Sequence, residues 1–266
     1  MNTKHILITG ASGGLGNALC RVYAEPGMRL TLWGRNEAAL EQLAGTCRAL
    51  GAQTDTVMQD IRDLAACRDR LRALQAEQPV DMAILNAGVS SGTLPGGGAE
   101  PVEDACRTLD CNATANINMA ATLLEVMRAR GEGHLVLVSS LAALYPFADS
   151  PAYCAAKAAL AVYARAVRDW PGNRAVRVST VYPGYVDSPM SRRLKGAQPM
   201  RWSAEKAAAH IRARLEAGAD SIMFPRLLAL GSLAMYLLPG PLARRISAGL
   251  RFTIDPDQDS PARSSR

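Results

Sequence analysis

Thr9-Gly10-Ala11-Ser12-Gly13-Gly14-Leu15-Gly16 decides how this chain folds. The stretch follows an apolar run, His5–Thr9, and opens residues 15–24, a helical pattern that ends at Pro26-Gly27. A glycine-rich turn from strand into helix brings backbone N–H groups close to a bound pyrophosphate. The helix N-terminus then favours the negative charge. Side chains at Gly10, Gly14 or Gly16 would occupy space that the phosphates or the sheet need. A tight turn with no ligand can carry the same residues, so the rest of the chain has to decide.

Outward from this turn, strand and helix patterns alternate. Strands are expected at residues 29–33, 54–59, 82–85, 134–139 and 176–182. Helices are expected at 15–24, 37–50, 65–78, 102–130 (broken at its start) and 153–170. Six apolar runs alternating with helices predict a parallel sheet covered on both faces, an α/β Rossmann-type doubly wound fold. We expect one domain over residues 1–254. Its C-terminal part holds a substrate loop at 188–203, a helix at 204–217 and an apolar helical extension at 221–252. A polar tail, 255–266, is expected to be disordered.

Bulk properties narrow the function. The six cysteines form no C-x-x-C pair and the three histidines are scattered, so free thiols in a reducing cytoplasm are expected and no metal. No basic-then-apolar leader opens the chain, so no signal peptide is expected. The net charge of +6 is uneven. Residues 1–191 hold 17 basic and 18 acidic residues, whereas 192–266 hold 13 and 6. That C-terminal excess fits an anionic substrate, a membrane surface, or simply a solvated basic face. No basic stripe is interleaved with aromatics, so no nucleic-acid partner is expected.

Candidate ligand residues collect at the carboxyl ends of the strands, where open α/β sheets bind ligands. The second strand ends Trp33-Gly34-Arg35-Asn36, without the carboxylate that would bond a ribose 2′-OH; Arg35 offers a fork for a 2′-phosphate. NADP(H) is therefore preferred over NAD(H). Asp60-Ile61 follows the third strand and Asn86-Ala87-Gly88 the fourth. An aspartate there can accept from an adenine amino group, and the small Ala87-Gly88 pair lets backbone approach a ring. Tyr153 and Lys157 share one helix face, and a lysine beside a phenol favours proton exchange at working pH. Ser139 and Ser140 end the fifth strand, where a hydroxyl can bond a substrate oxygen.

Together these residues resemble the short-chain dehydrogenase/reductase family over about residues 4–190. The matching motifs are TGASGGLG at 9–16, Asp60, NAG at 86–88, Asn112, Ser140, YCAAK at 153–157 and PGYVDSP at 183–189. The resemblance implies an NADP(H)-dependent oxidoreductase that reduces a ketone or oxidises a secondary alcohol, a carbonyl reductase. It implies Tyr153 as general acid/base, Lys157 lowering its pKa and bonding the nicotinamide ribose, Ser140 holding the substrate oxygen and Asn112 supporting a relay water. The cofactor set it implies adds Gly10, Ser12, Gly14, Leu15, Gly16, Arg35, Asp60, Ile61, Asn86, Ala87 and Gly88, together with Pro183, Gly184, Val186 and Ser188. The family's strand and Gly-Gly ending, which builds a tetramer, is not seen in the sequence; a homodimer remains allowed by resemblance. A non-catalytic nucleotide-binding interaction protein is the alternative, and it would be marked by a lost Tyr or Lys.

The segment 224–252 carries Leu227, Leu228, Leu230, Leu233 and Leu237 beside Arg226, Arg244, Arg245 and Arg251. Its apolar run, 227–238, is too short to span a bilayer. A lid, a subunit seam and peripheral membrane contact all fit this pattern.

Overall fold

In the computed structural model, which describes residues 5–95, 98–249 and 251–256, the glycine-rich turn joins β1 (His5–Thr9) to α1 (Gly14–Tyr23). Every residue of β1 is buried, as a strand covered on both faces requires. There follow β2 (Arg29–Gly34), α2 (Glu37–Ala49), β3 (Gln53–Met58), α3 (Leu64–Glu77) and β4 (Met82–Leu85). Next come α4 (Val102–Leu109), a π-helical segment (Asp110–Ala115), α5 (Asn116–Arg130) and β5 (Gly133–Val138). A 3-10 turn (Leu141–Ala143), α6 (Pro151–Asp169) and β6 (Val176–Pro183) complete the part with the regular alternation.

The C-terminal part holds α7 (Pro189–Arg192), β7 (Leu194–Gly196), α8 (Ala204–Glu216) and β8 (Ser221–Phe224). It ends with α9 (Arg226–Ala234), a 3-10 turn (Met235–Leu237), α10 (Gly240–Ala248) and β9 (Phe252–Ile254).

The main sheet is parallel, in the order β3-β2-β1-β4-β5-β6-β8. Helices α1, α2 and α8 pack Leu19, Leu43 and Ile211 against Ile8, Leu32 and Ile84 on one face. On the other, α3, α5 and α6 pack Leu71, Leu123 and Leu160 against Leu7, Leu85 and Leu137. The chain winds away from β1 in both directions, so the sheet order reverses between β1 and β4. A crevice opens at such a reversal, beyond the carboxyl ends of the strands.

Three differences from the sequence reading have physical causes. The expected six strands are seven, because Ser221–Phe224 pairs parallel with β6, Thr180 opposite Ser221. Four residues of strand merging into an apolar helical run show no separate periodicity. The expected helix over 102–130 is widened at Asp110–Ala115 into a π segment rather than broken at its start. The loop at 188–203 contains α7 and β7, and β7 pairs antiparallel with β9. Asp255, placed by its sequence in a disordered tail, donates its N–H to the Arg193 carbonyl at 2.9 Å and pairs with Lys195 at 3.2 Å. The remaining tail, 257–266, lies outside the described residues. Among the described residues no helix is long and apolar enough to cross a membrane.

His134, at the start of β5, shows how the amino end of the sheet responds to pH. Ser179 Oγ donates to the Ala219 carbonyl at 2.9 Å and so accepts from His134 Nε2, also at 2.9 Å. Burial, with help from Arg177, pushes the imidazole pKa down to about 3. The folded state therefore holds the neutral ring. Its share of stability is complete above the ordinary pKa of 6.5 and is lost as pH falls toward about 3. Chemical denaturation between pH 7 and pH 4.5 should show wild type losing up to about 1.4 kcal/mol per pH unit more than His134→Gln. Parallel slopes for the two proteins would contradict this account.

Candidate active site

The turn after β1 is shaped by two close approaches. Gly10 has φ of +65°, a left-handed conformation that costs glycine little. A Cβ at Gly16 would lie 2.1 Å from the Gly10 carbonyl oxygen, and one at Gly14 would lie 2.6 Å from Ser188 Cβ. Helix α1 then begins at Gly14, and its N-cap residue, Gly13, has no side chain to cap it. The starts of α2, α3 and α8 are capped by Asn36, Asp63 and Ser203. The α1 amides thus face the crevice with their hydrogen-bonding capacity unspent.

Thr9 and Asn86 tie the ends of β1 and β4 together. Thr9 Oγ1 accepts from the N–H groups of Asn86 and Ala87, both at 3.0 Å, and Asn86 Nδ2 donates to the Thr9 carbonyl at 3.1 Å. This holds Ala87 and Gly88 beside the glycine turn. Gly10, Gly14, Gly16, Asn86, Ala87 and Gly88 line a cleft of about 900 Å³, with Ser12, Leu15, Arg35, Asp60, Ile61, Pro183, Gly184, Val186 and Ser188. That volume falls within the range of small-molecule and cofactor sites.

At the outer end of the cleft, Asp60 is not left to a ligand alone. Its carboxylate accepts from Arg62 Nη2 at 2.6 Å and from the Arg62 N–H at 2.9 Å, and Arg35 Nη1 stands 4.0 Å away. Burial pushes the Asp60 pKa up, but the Arg62 bonds and both guanidinium charges outweigh it and the carboxyl stays below its ordinary value. Sequence reasoning missed Arg62, although its place two residues after Asp60 was a local signal. Ser188 Oγ accepts from the Ser191 N–H at 3.1 Å and caps α7, so its hydroxyl is partly committed.

In the middle of the cleft, Ser140, Tyr153 and Lys157 come together. Lys157 is 4% exposed and donates from Nζ to the Val138 carbonyl at 2.8 Å. Ser139 Oγ donates to the Lys157 carbonyl at 2.8 Å, so this serine serves the framework and Ser140 faces the cleft. Burial lowers the Lys157 pKa to about 8. Tyr153 is half-buried, with its ring centroid 5.8 Å from Nζ. Burial raises its pKa to about 12, against a hydrogen bond from Ser140 that lowers it. The expected lowering of the phenol by Lys157 is not among the causes at work in this geometry.

Asn112 sits fully buried in the π segment. It accepts from the Val89 N–H and donates to the Val89 carbonyl, both at 2.8 Å. Asn116, missed from sequence, donates to the carbonyls of Cys111 at 2.8 Å and Ala87 at 3.0 Å. A one-turn widening of this kind inside a helix is often found at functional sites.

The inner end of the cleft is lined by Leu141, Phe147, Tyr185, Leu228, Phe252 and Ile254. The cations of the 188–203 loop, which by sequence fit either an anionic substrate or a solvated face, are engaged within the chain. Arg192 pairs with Asp187 at 3.1 Å, Lys195 with Asp255 at 3.2 Å and Arg201 with Asp187 at 3.9 Å. Arg193 donates to Ser90 and to the Asp255 carbonyl, at 3.1 and 3.0 Å.

The family model described as short chain dehydrogenase matches residues 4–199. An oxidoreductase of Myxococcus xanthus is 32% identical over 92% of this chain and 98% of its own. A protein of Salmonella typhi named NADP-dependent 3-hydroxy acid dehydrogenase is 31% identical over 68% of this chain and 72% of its own. Among solved structures, a short-chain type dehydrogenase/reductase from Mycobacterium marinum superposes with a TM-score of 0.70 at 24% identity, covering 83% of this chain and 92% of that one. This last likeness concerns the fold.

Glu100, also missed from sequence, holds the start of α6 beneath Tyr153. Its carboxylate accepts from the Ala152 N–H at 3.2 Å and from Ser91 Oγ, which also bonds Thr108 Oγ1 at 2.7 Å. An anion at a helix N-terminus and a satisfied first-turn amide are each worth about 1 kcal/mol. Glu100→Ala should therefore lower unfolding free energy by about 1–3 kcal/mol in urea titration. An unchanged midpoint would show that Glu100 does not anchor α6.

Proposed function

This chain belongs to the short-chain dehydrogenase/reductase family of oxidoreductases, and on that premise we propose that it reduces a ketone with NADPH, Tyr153 donating the proton. The observation that carries this reading is the convergence of Ser140, Tyr153 and buried Lys157 on the cleft that begins at the glycine turn. The turn fits a dinucleotide: the α1 start is uncapped, and methyls added at Gly10, Gly14 and Gly16 would collide with Ala87, Ser188 and the Gly10 carbonyl, which shape it. Bound there, the nicotinamide would exchange hydride with the substrate carbon.

The chain's own groups handle the proton. With its pKa near 12, the Tyr153 phenol is protonated throughout the neutral range, the form needed to protonate a developing alkoxide. Ser140 holds the same oxygen by a hydrogen bond, and Lys157, charged below about pH 8, places a cation beside the ring. Asn112, locked to Val89, fixes the wall behind Lys157, where a relay water is expected. The apolar inner wall favours a carbonyl on a largely apolar body. Tyr153→Phe should lower turnover about 100- to 10,000-fold with cofactor affinity nearly kept, as read by steady-state kinetics and NADPH fluorescence titration. Undiminished turnover would sink the assignment.

The preference for NADPH rests on charge at the outer end. No carboxylate ends β2, and Arg62 holds Asp60, so Arg35 and Arg62 leave that end cationic. Asn36 is occupied in capping α2. A charged hydrogen bond is worth about 1.5–3 kcal/mol, so Arg35→Ala should weaken NADPH roughly 10- to 150-fold and leave NADH almost untouched. Equal wild-type affinity for both cofactors, measured calorimetrically, would contradict this preference.

A further inference from the structure

The last two helices turn apolar side chains outward. On α9 and the 3-10 turn after it, Leu227, Leu230, Leu233 and Leu237 are exposed, the last to 87%. Steps of three and four residues set them along one side of the helical segment. The opposite side holds buried Ala229 and the cleft-lining Leu228 and Ser232. On α10, Leu242 and Ile246 lie one turn apart, each 46% exposed, with Ala243 buried behind them. A helix on a water-soluble surface ordinarily turns such a stripe inward.

The charges that this segment itself carries have one sign. Residues 221–254 contain no Asp or Glu, and their charged residues are Arg226, Arg244, Arg245 and Arg251. Arg251 is bound to buried Asp149 at 2.6 Å. The other three are exposed and have no carboxylate partner among the described residues. We propose that this face docks on an anionic lipid surface, with the leucines entering the acyl boundary and the arginines meeting the headgroups. A second copy is the poorer occupant, because a two-fold contact through the face would set arginine against arginine with no acid of the segment between them. Lipid supplies both the apolar volume and the negative charge.

Docking sets α9 between lipid and cleft, since its inner side carries Leu228 and Ser232. Resting on the reading of the cleft as a carbonyl reductase site, the substrate class is then a membrane-partitioned, long-chain ketone.

The full chain, loaded with NADP(H), is sedimented with vesicles of phosphatidylcholine and of phosphatidylcholine with about a third phosphatidylglycerol. It should pellet with the anionic vesicles at low salt, leave them as salt is raised, and stay in the supernatant with neutral ones. Each arginine contributes about five-fold, so the triple variant Arg226→Gln/Arg244→Gln/Arg245→Gln should partition about 100-fold less. Leu230→Glu/Leu237→Glu alters only exposed positions and should abolish pelleting with an unchanged melting temperature. That variant should also lose reduction of a vesicle-embedded long-chain ketone while keeping that of a short water-soluble one.

Wild type that stays in the supernatant with anionic vesicles at low salt overturns docking. So does a leucine variant that splits a dimer in light scattering but still pellets. Undiminished reduction of the embedded ketone by the leucine variant overturns the substrate class. Pelleting is read without turnover, so it stands or falls separately from the catalytic reading.

Discussion

The site depends on burying an ammonium group. Removing such a charge from water costs several kcal/mol, and neighbours must return hydrogen bonds to hold it. Lys157 obtains one from the Val138 carbonyl, while its own carbonyl accepts from Ser139 Oγ. Both partners sit at the end of β5, and the Ser139 N–H is in turn fixed to the Val181 carbonyl at 2.8 Å. Helix α6 is thereby stitched to the sheet at the residue that most needs a fixed environment. Tyr153, one turn earlier on the same helix, inherits its position from that stitch. Gly88 closes the remaining side: a Cβ there would meet Asn112 Oδ1 at 2.9 Å and Lys157 Nζ at 3.5 Å.

The π segment serves the same constraint from the opposite wall. Widening the helix at Asp110–Ala115 releases carbonyls that a regular turn would use, and Asn116 Nδ2 takes those of Cys111 and Asn112. Asn112 can then turn both ends of its amide to Val89, the residue after Asn86-Ala87-Gly88. The β4 end is thus held by Thr9 from one side and by Asn112 and Asn116 from the other. Backbone that must approach a flat ring closely is fixed before any ligand arrives, which lowers the cost of binding.

Those parts of the fold were legible where local pattern and burial coincide. Central parallel strands read as unbroken apolar runs, so β1, β2, β4 and β5 stand out, and with them Gly10, Asn86, Ser140 and Tyr153 at or beyond their carboxyl ends. The missed pieces depend on partners far away in sequence. Strand β9 exists because β7, about sixty residues earlier, offers it an edge. Glu100 is an ordinary surface acid until Ala152 is brought beside it, and Asp149 gains meaning only when Arg251 arrives. Arg193 looks like a substrate-binding loop cation until Ser90 and Asp255 are seen to occupy it.

The two ends of the cleft differ in construction. The cofactor end and Lys157 stand on the sheet, where both faces are packed and the strands are continuously paired. The inner end stands on β7, β9 and α9, whose buried contribution is little more than Ala229, Phe252 and Ile254. Polar ties hold these pieces, chiefly Arg251 to Asp149 and Lys195 to Asp255, and in both pairs the cation is mostly in water. The Lys195 pair is exposed and contributes little, whereas buried Asp149 anchors Arg251 and the Phe252 N–H; with so little apolar burial around them, this end opens locally at lower free energy than the sheet. The chemistry is thereby held rigid while the wall that meets the substrate body can yield. On the proposed reading, an apolar substrate entering past α9 would use that division, parting the weakly packed pieces without moving α6.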